Sequence, residues 1–598
     1  MGSIHSPLST PFDYIIIGGG TAGLVVASRL TEDPSVRVLV VEAGADRAAD
    51  PLVNTPGLVG AMYGRGEYDW NFSSVPQPTL QNRLINQARG KMLGGSSAMN
   101  FMMLLYPTRG ILDAWGRLFP SSSAPPTTTW TYSSLSPYLA KFATVHPPPP
   151  TTRDLVGLTY HDETLVPANN NNGPVQVSFS EGLGEPNRTW METFRGLGLE
   201  GRSYAGSGYY GARERGRENL VVVTETRVGR ILFDTTQGEQ PVARGVEVIG
   251  KDGQKSEVTA TAEVILAAGA LQSPQLLELS GIGGRAQLES LGIPVLVDNP
   301  NVGEGMQDHP IVCQSFEVAD GVPSADVLRD PEVVATLVGM YPDGPMGQST
   351  ISVAYAPLVD YDGPLSADAK AALFASHADT TTTPAARAVR DVILSPDEPA
   401  FQYLLFPSQI TIPDRPASMA SYITPTQPEN YITVMTILNH PFSRGSVHVA
   451  SPDVTDLPVW DPAYNSHPLD LELLARGVRF VERIVDPSTP FGGGVLKKGG
   501  RRIPDIFSEP GDEGLERARE VVRQRQISVF HVSGSCAMLP RGEGGVVDEE
   551  LRVYGVRGLR VVDASVFPLE PSGNIQSVVY AVAERAADLI KGARRGAS

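Results

Sequence analysis

The stretch YIIIGGGTAG at residues 14–23, followed by VLVVE at residues 38–42, decides the fold. Four apolar residues run directly into a glycine-rich turn, and a second apolar run ends in Glu42, nineteen residues after Gly23. This pattern predicts a buried strand, a G-x-G-x-x-G turn that opens a helix, and a second strand with an acid at its tip. Together these parts form a dinucleotide-binding unit.

Each part of this unit has a physical role in binding a dinucleotide. Gly18 permits the tight turn, Gly20 lets the backbone approach a pyrophosphate, and Gly23 lets the helix pack closely on the strand. The helix N-terminus offers free N–H groups and the positive end of its dipole to the phosphates. Glu42 is predicted to hydrogen-bond the adenosine ribose hydroxyls. The motif does not decide between NAD and FAD.

Length and composition indicate a large globular protein with more than one core. The chain has 598 residues, of which 41% are hydrophobic and 19% are charged. A length of this kind predicts two or more cores. The 48 basic and 66 acidic side chains give a net charge of −18, which argues against nucleic acid as a partner.

The cysteines and the N-terminal residues exclude several other classes of protein. Cys313 and Cys536 are too few for a disulfide scaffold or a cysteine-rich metal site. Two buried thiols are the expected state, and a single bridge between them is the alternative. No metal-ligand spacing is present. The sequence shows neither a secretory signal nor a membrane-spanning run, so a cytoplasmic protein is predicted. Gly2 and Ser6 fit a myristoylation pattern, and this question stays open.

Strand-like runs reappear far from the N-terminus. They lie at residues 220–223, 246–248, 263–266 and 559–563, and a helical apolar face spans residues 576–591. These pieces suggest one nucleotide-binding domain assembled from separated stretches. The intervening segments would then form a second domain.

Two further motifs are rich in small residues. They are GKMLGGSSAMN at residues 90–100 and GALQSPQLLELSGIG at residues 269–283. Adjacent glycines and serines let a loop pass close to a flat or phosphorylated ligand and offer it N–H donors. With VGEGMQDHP at residues 302–310 and LRVVDASVFP at residues 559–568, they resemble the signatures of the glucose-methanol-choline (GMC) oxidoreductases. The resemblance covers residues 12–590.

The resemblance implies FAD as the cofactor and an α/β fold (α+β overall) with two discontinuous domains. A Rossmann-like FAD-binding domain would comprise residues 11–100, 215–312 and 525–598. A substrate-binding domain, built on an antiparallel sheet with helices, would comprise residues 101–214 and 313–524. Some relatives attach the flavin through a histidine just before the loop asparagine. Met99 stands there, so non-covalent FAD is predicted.

The family pattern also implies a set of cofactor-binding residues. Asp563 resembles the family acid near the ribityl-pyrophosphate part of the cofactor. The full set predicted to bind FAD is Gly18, Gly20, Thr21, Ala22, Gly23, Glu42, Gly94, Ser96, Asn100, Val228, Asp563, Ala564 and Ile575.

The C-terminal motifs HVSGSCAM at residues 531–538 and PSGNIQS at residues 571–577 resemble the catalytic segments of the family. They give His531 and Asn574 as the predicted catalytic pair. Removing a hydride from an alcohol carbon requires the hydroxyl proton to leave as well. A histidine is the natural base, and a neutral amide can hold the alcohol oxygen without competing for that proton. His309 is predicted to brace the flavin domain, and Cys536 to serve packing.

The resulting hypothesis is oxidation of an alcohol to an aldehyde or ketone, with hydride transfer to flavin N5. Oxygen or another electron acceptor would reoxidise the flavin, and a small metabolite of specialised metabolism is the expected substrate. The alternatives are a lyase or cyclase that retains FAD, a light-driven decarboxylase, and a flavin-binding protein without turnover. The choice of alcohol, the choice between oxidase and dehydrogenase, and the oligomeric state remain open.

Overall fold

The computed structural model describes residues 10–119, 129–146, 150–156, 172–178, 184–197, 201–202, 205–207, 215–236, 239–340 and 351–597. Within these ranges the fold is mixed α/β and is organised by two seven-stranded sheets. One sheet is largely parallel and carries the glycine turn, and the other is antiparallel. The predicted fold class is confirmed.

The first sheet is built around the N-terminal strand. Phe12–Ile17 lies between Val38–Val41 and the end of Lys255–Leu266, and both pairings are parallel. Leu220–Val223 continues the sheet beyond Val38–Val41, and Leu559–Val561 pairs with Lys255–Leu266 on the other side. The first two strands are almost wholly buried, as expected of parallel strands covered on both faces.

An antiparallel extension completes this sheet. Arg227–Asp234 pairs with Val242–Ile249, which in turn pairs with the beginning of Lys255–Leu266. The runs predicted as strands near residues 220, 247, 265 and 560 therefore all belong to one sheet. The exact bounds of the two discontinuous domains stay a prediction.

Helices at the two ends of the chain pack together beside this sheet. Thr21–Leu30 contacts Gln576–Ala597, which begins where the sequence predicted and ends six residues later than expected. Arg29 and Lys141 bind the buried carboxylate of Glu584 at 2.6 and 2.8 Å. Two cations satisfy a group that would be costly to bury alone.

The second sheet is antiparallel and runs in the order Arg502–Ile503, Pro310–Glu317, Tyr431–Leu438, Phe401–Phe406, Ser352–Ala356 and Gly201–Arg202. Every residue of its two longest strands, Pro310–Glu317 and Tyr431–Leu438, is buried. Helix Pro468–Ile484 packs against the second of them. A short strand, Gln526–Ser528, pairs with Pro310–Glu317 and leads directly to His531. This sheet therefore positions the predicted catalytic histidine.

Shorter elements connect the two sheets. The other α-helices are Pro51–Asn54, Arg109–Arg117, Tyr132–Lys141, Pro150–Val156, Glu185–Gly196, Gln272–Leu279, Arg285–Ser290, Pro331–Gly339, Ala367–Ala375, Pro384–Leu394, Ala420–Ile423, Pro490–Gly494 and Asp512–Arg525. The 3-10 helices are Pro56–Met62, Pro78–Leu80, Gly95–Ala98, Ala325–Arg329, Ala378–Thr380, Arg541–Glu543 and Ala564–Val566. The other strands are Phe72–Ser73, Asn86–Gln87, Ala143–Val145, Val175–Ser178, Ala205–Ser207, Ile282–Gly283, Val297–Asp298, Glu304–Met306, Val359–Asp360, Gly363–Pro364, Gly445–His448 and Val459–Asp461. Among the residues described, no helix combines the length and the apolar character needed to cross a membrane.

Candidate functional site

One cavity joins the glycine turn to the C-terminal histidine motif. It has a volume of about 350 Å³, and residues of both seven-stranded sheets line it. The predicted site residues on its wall are Gly18, Gly20, Thr21, Ala22, Glu42, Ser96, Asn100, Val228, His531, Asp563, Ala564, Asn574 and Ile575. Gly23 and Gly94 are not on the wall, and both contact the glycine turn.

The glycine turn has the geometry that its predicted roles require. Gly18 adopts a φ of 102°, which side-chain-bearing residues rarely adopt. A Cβ atom at Gly23 would lie 2.0 Å from the carbonyl oxygen of Gly18, so only glycine lets the helix approach the strand here. The backbone of Gly20 is open, since a Cβ there would meet no atom closer than 3.9 Å. The turn therefore leaves space at the N-terminus of helix Thr21–Leu30.

Glu42 lies beside this turn at the tip of its strand. Its two carboxylate oxygens accept hydrogen bonds from the backbone N–H groups of Gly19 (2.8 Å) and Gly44 (2.7 Å). Burial raises the pKa of Glu42 to about 7, although both hydrogen bonds oppose the shift. Each oxygen keeps a free lone pair. Glu42 can therefore still accept a hydrogen bond from a ligand hydroxyl.

The loop at residues 90–100, which contains Gly94 and Gly95, is tied to the glycine turn at residues 18–23 and to helix Gln576–Ala597. The N–H of Gly94 donates to the carbonyl of Gly19 at 2.8 Å. The side-chain amide of Asn100 donates to Gln576 at 2.8 Å and accepts from the N–H of Met102 at 2.9 Å. Asn100 therefore fixes the loop to the first residue of helix Gln576–Ala597.

Asp563 fixes another part of the wall. Its carboxylate accepts hydrogen bonds from Gly269 N–H (2.9 Å), the Ser273 hydroxyl (2.6 Å) and Ser565 N–H (2.8 Å). It thus joins the tip of strand Leu559–Val561 to the motif at residues 269–283. Burial raises its pKa, and the three hydrogen bonds oppose this rise.

His531 stands at the other end of the cavity and contacts a second histidine. Its Nδ1 lies 2.9 Å from Nδ1 of His309, and Nε2 of His309 lies 2.8 Å from the carbonyl oxygen of Asn439. A carbonyl only accepts, so Nε2 of neutral His309 carries the proton and its Nδ1 is bare. Nδ1 of His531 must then donate to His309. Nε2 of His531 is left without a proton and able to accept one.

The surroundings keep both histidines neutral. Burial lowers the pKa of His309 to about 3. Burial, followed by the proximity of His309 and Arg89, holds the pKa of His531 well below its usual value. The backbone N–H of His531 donates to Asp308 at 2.9 Å, which fixes the loop. Asp308 also accepts a hydrogen bond from Ser528 at 2.5 Å.

Asn574 lines the same cavity just before helix Gln576–Ala597. Its side-chain oxygen accepts a hydrogen bond from Gln402 at 3.3 Å. This contact orients the amide, and its N–H₂ group donates to no other residue in the described ranges. The amide can therefore donate to a ligand oxygen.

Apolar side chains form the wall between these groups and the antiparallel sheet. Phe101 packs edge-to-face against Phe406 at 5.8 Å and lies 6.0 Å from the ring of Tyr63. Met99, Phe101 and Met103, which lie at or directly after the end of the loop at residues 90–100, are on the wall. Others there are Ile351, Leu404, Ile410, Met419, Tyr422, Ile423, Met435, Ile527 and Phe530.

The partners of His531 could not be predicted from the sequence. His309 is predicted to brace the flavin domain, which stays a prediction, and the structure places it directly against His531. The motif at residues 302–310 marked Asp308 and His309 as notable, but no local signal links them to a segment more than 200 residues away. Cys313 and Cys536 are both buried free thiols, as expected. In the described ranges no cluster of His, Cys, Asp or Glu is arranged to hold a metal ion.

Comparisons with known families and proteins identify the family of the chain. The N-terminal and C-terminal GMC oxidoreductase family models match residues 12–311 and 441–583. The chain is 36% identical to dehydrogenase mpl7 of Monascus purpureus, over 98% of this chain and 96% of the relative. It is 34% identical to a dehydrogenase of Armillaria gallica, over 98% and 93%.

Solved structures give the same result. A formate oxidase superposes with a TM-score of 0.81 at 28% identity, over 98% of this chain and 99% of that one. An FAD-dependent oxidoreductase from Chaetomium thermophilum gives a TM-score of 0.78 at 27% identity, over 98% and 100%. A fungal aryl-alcohol oxidase gives 0.79 at 26% identity, over 98% and 99%.

The wall chemistry fits FAD. The open glycine turn, the acceptor Glu42 and the small-residue loop lie along one continuous cavity, as an extended dinucleotide requires. The family match supports FAD as the cofactor and oxidoreduction as the general activity. The chain belongs to the glucose-methanol-choline (GMC) oxidoreductase family.

Proposed function

We propose that this protein oxidises an alcohol with an apolar body to an aldehyde or ketone, with His531 as the base. The observation that carries the proposal is the contact between Nδ1 of His531 and Nδ1 of His309. It supports a tautomer in which Nε2 of His531 is unprotonated. His531 and Asn574 line the same cavity as the glycine turn.

His531 and Asn574 would act on different atoms of the substrate hydroxyl. Nε2 of His531 accepts the hydroxyl proton, while Nδ1 keeps its hydrogen bond to His309. The amide of Asn574 donates to the alcohol oxygen, whose negative charge grows as the proton leaves. Gln402 holds this amide in place through its hydrogen bond to the Asn574 oxygen.

Bound FAD would supply the hydride acceptor, and oxygen or another electron acceptor would regenerate it. The residues proposed to hold FAD are the cofactor-binding residues predicted from the sequence. Helix Gln576–Ala597 begins at the cavity, so its N–H groups and positive dipole end favour a negative charge there.

The side chains support non-covalent binding of FAD. Met99, whose position carries the attachment histidine in some relatives, is 3% exposed and has no nucleophilic nitrogen. The cavity wall contains one histidine, His531, and no cysteine among the residues described. That histidine is the residue proposed as the catalytic base, so it is not the proposed attachment point for the flavin.

The apolar wall favours an alcohol with an apolar or aromatic body. Polar side chains in this part are already engaged: Tyr63 donates to the carbonyl of Met99 at 2.9 Å, and the Tyr422 hydroxyl accepts from Asn86 N–H at 3.0 Å. A sugar would lose its hydrogen bonds to water here without replacement. We also propose that the substrate is a metabolite of specialised metabolism.

The test is anaerobic mixing of the FAD-loaded protein with benzylic, long-chain aliphatic and sugar alcohols. Loss of the visible absorbance of oxidised flavin with the benzylic or aliphatic alcohols is the expected result, and sugars should leave the absorbance unchanged. Admitting oxygen afterwards separates an oxidase from a dehydrogenase. Product formation without bleaching would contradict the proposal and favour a lyase or cyclase.

A further inference from the structure

A buried carboxylate lies behind the histidine pair. Oε1 of Glu570 is 3.6 Å from Nδ1 of His309, and the two side chains are 1% and 0% exposed. Oε2 accepts a hydrogen bond from the Ser533 hydroxyl. Oε1 accepts none from the described residues. One carboxylate oxygen therefore faces the histidine without another partner.

The backbone of Glu570 is held on both sides. Its N–H donates to the side-chain oxygen of Gln307 at 2.9 Å, and its carbonyl accepts from Nδ1 of His440 at 3.2 Å. Gln307 and His309 belong to the same motif, so one short segment contacts both the backbone and the side chain of Glu570. The distance between Glu570 and His309 is therefore fixed by the fold.

Charged groups around Glu570 act in both directions. Burial raises its pKa, the Ser533 hydroxyl lowers it, and the negative charge of Asp308 raises it. The guanidinium groups of Arg444 and Arg89 lower it, but burial dominates and holds the pKa of Glu570 well above its usual value. A carboxylate that is costly to bury gains most from a cation nearby. In the proposed reaction that cation forms on the histidine pair.

We propose that Glu570 is the counter-ion of the His531–His309 pair and stabilises the positive charge that the pair acquires during alcohol oxidation. This inference rests on the proposed function. The substrate O–H bond breaks, its proton bonds to Nε2 of His531, and its electron pair stays on the substrate oxygen. The Nδ1 proton of His531 then moves to Nδ1 of His309, beside the Glu570 carboxylate. No further reactant is needed for this step.

The arrangement stabilises the charge only while it forms. Before proton transfer both histidines are neutral, so Glu570 gains little from them. As the proton arrives, attraction across 3.6 Å in a buried site becomes strong. An interaction that grows toward the transition state accelerates the reaction and does not merely tighten substrate binding. Glu570 touches no substrate and is a positioning residue.

The test compares the pH dependence of anaerobic flavin reduction in the wild-type holoenzyme and in Glu570→Gln. Glutamine keeps the shape and can still accept the Ser533 hydrogen bond, but it has no charge. Loss of the counter-ion should slow reduction about tenfold or more and lower the pKa of the histidine pair. The acidic limb of the profile should therefore move about one pH unit lower.

A second measurement needs no turnover. Histidine-¹⁵N NMR of the oxidised holoenzyme reports the protonation of each ring nitrogen, and His531→Asn identifies the His531 signals. In Glu570→Gln, the His531–His309 pair should gain its additional proton only at lower pH than in the wild type. Glu570→Asp, which keeps the charge, should move both readouts back toward wild type.

Two further variants distinguish loss of the counter-ion from a general structural effect of the substitution. Asp326→Asn changes another fully buried carboxylate, which accepts from Gln409 N–H and lies outside the cavity. It should leave the acidic limb in place. Ser533→Ala retains Glu570 but removes its hydroxyl donor, so the limb should move in the same direction by less. This small change serves if Glu570→Gln does not fold.

An acidic limb that stays at its wild-type position in Glu570→Gln would overturn the inference, whether or not the rate falls uniformly. His531→Ala distinguishes failure of the counter-ion inference from failure of the proposed function. If His531→Ala abolishes reduction while Glu570→Gln behaves as wild type, only the counter-ion inference fails. If His531→Ala reduces flavin at the wild-type rate, the proposed function fails as well.

Discussion

The two ends of the cavity are constructed in different ways. At the glycine end, the turn, the helix N-terminus and Glu42 come from one continuous segment of about thirty residues. At the histidine end, the ring of His531 depends on His309, which lies 222 residues earlier in the chain. The glycine end is formed by residues that are close in sequence, whereas the histidine end is formed by residues that only the tertiary fold brings together. We therefore expect a substitution at one end to change the properties that depend on that end and to leave those of the other end unchanged.

The two ends also differ in how they treat charge. Glu42 is a buried acid held by backbone N–H groups, which are part of the fold itself. His531 is kept neutral by burial and by another side chain. Substitutions at the glycine end should therefore change cofactor binding and stability. Substitutions at the histidine end should change the reaction while the cofactor stays bound.

The largest effect is expected for His531→Ala. Loss of the base should slow anaerobic flavin reduction about 10²- to 10⁴-fold, while FAD remains bound. Stopped-flow absorbance with a benzylic alcohol measures the rate, and the visible spectrum measures the FAD content. His146→Ala, on an exposed histidine, is the matched control and should behave as wild type. Loss of FAD from His531→Ala would break the proposed separation of the two ends.

The next largest effect concerns the pH dependence of stability in the FAD-free protein. Glu42 ionises near 4.5 in the unfolded chain and near 7 in the fold, so the unfolded state binds fewer protons between these values. Its contribution to the free energy of unfolding should therefore fall as pH rises, by about 3 kcal/mol across the window.

Urea unfolding at several pH values tests this expectation. Glu42→Gln removes the titrating group and should flatten the curve between pH 4.5 and 7. An unchanged slope in this variant would show that Glu42 is not held in the protonated form by burial.

A somewhat smaller loss is expected for Gly23→Ala. The added methyl group would lie 2.0 Å from the carbonyl oxygen of Gly18, so helix and turn must separate. Overpacking of this kind costs about 1–3 kcal/mol and should also displace FAD. Gly66→Ala is the matched control, because a Cβ there meets no atom within 4 Å. Thermal unfolding and FAD content measure the two effects, and full FAD loading of Gly23→Ala would contradict the expectation.

The smallest effect is expected for Phe406→Ala on the apolar wall. Removing the ring that packs against Phe101 should raise the KM for a benzylic alcohol about tenfold and leave the limiting rate of flavin reduction nearly unchanged. Phe507→Ala removes an exposed ring elsewhere and should change neither value. A fall in the limiting rate alone would indicate that Phe406 positions the reacting carbon.

Much of the fold could be predicted because its signals are local. The apolar run at residues 14–17, the turn at Gly18 and the acid Glu42 depend on short-range conformation, and the structure brings them together as expected. The resemblance of the motifs at residues 531–538 and 571–577 to family segments brought His531 and Asn574 to attention. Both lie on the same cavity wall, and their catalytic roles stay a prediction.

The supporting residues could not be predicted from the sequence. Glu570 precedes a proline in an ordinary apolar segment, and its sequence context gives no sign that it faces His309. The amide orientation of Asn574 depends on Gln402, a residue of the antiparallel sheet 172 positions away. Such contacts arise only when two sheets are assembled, so hydrophobic periodicity and spacing carry no information about them.

The position of strand Leu559–Val561 has a consequence for biosynthesis. This strand pairs with Lys255–Leu266, nearly 300 residues earlier, and the helix that follows it packs on Thr21–Leu30. A ribosome must therefore translate almost the whole chain before the parallel sheet can be completed. Contacts of such high sequence separation slow folding and leave a strand edge exposed during synthesis. A chain that ends before residue 559 would keep that edge unpaired and would be a substrate for chaperones and proteases.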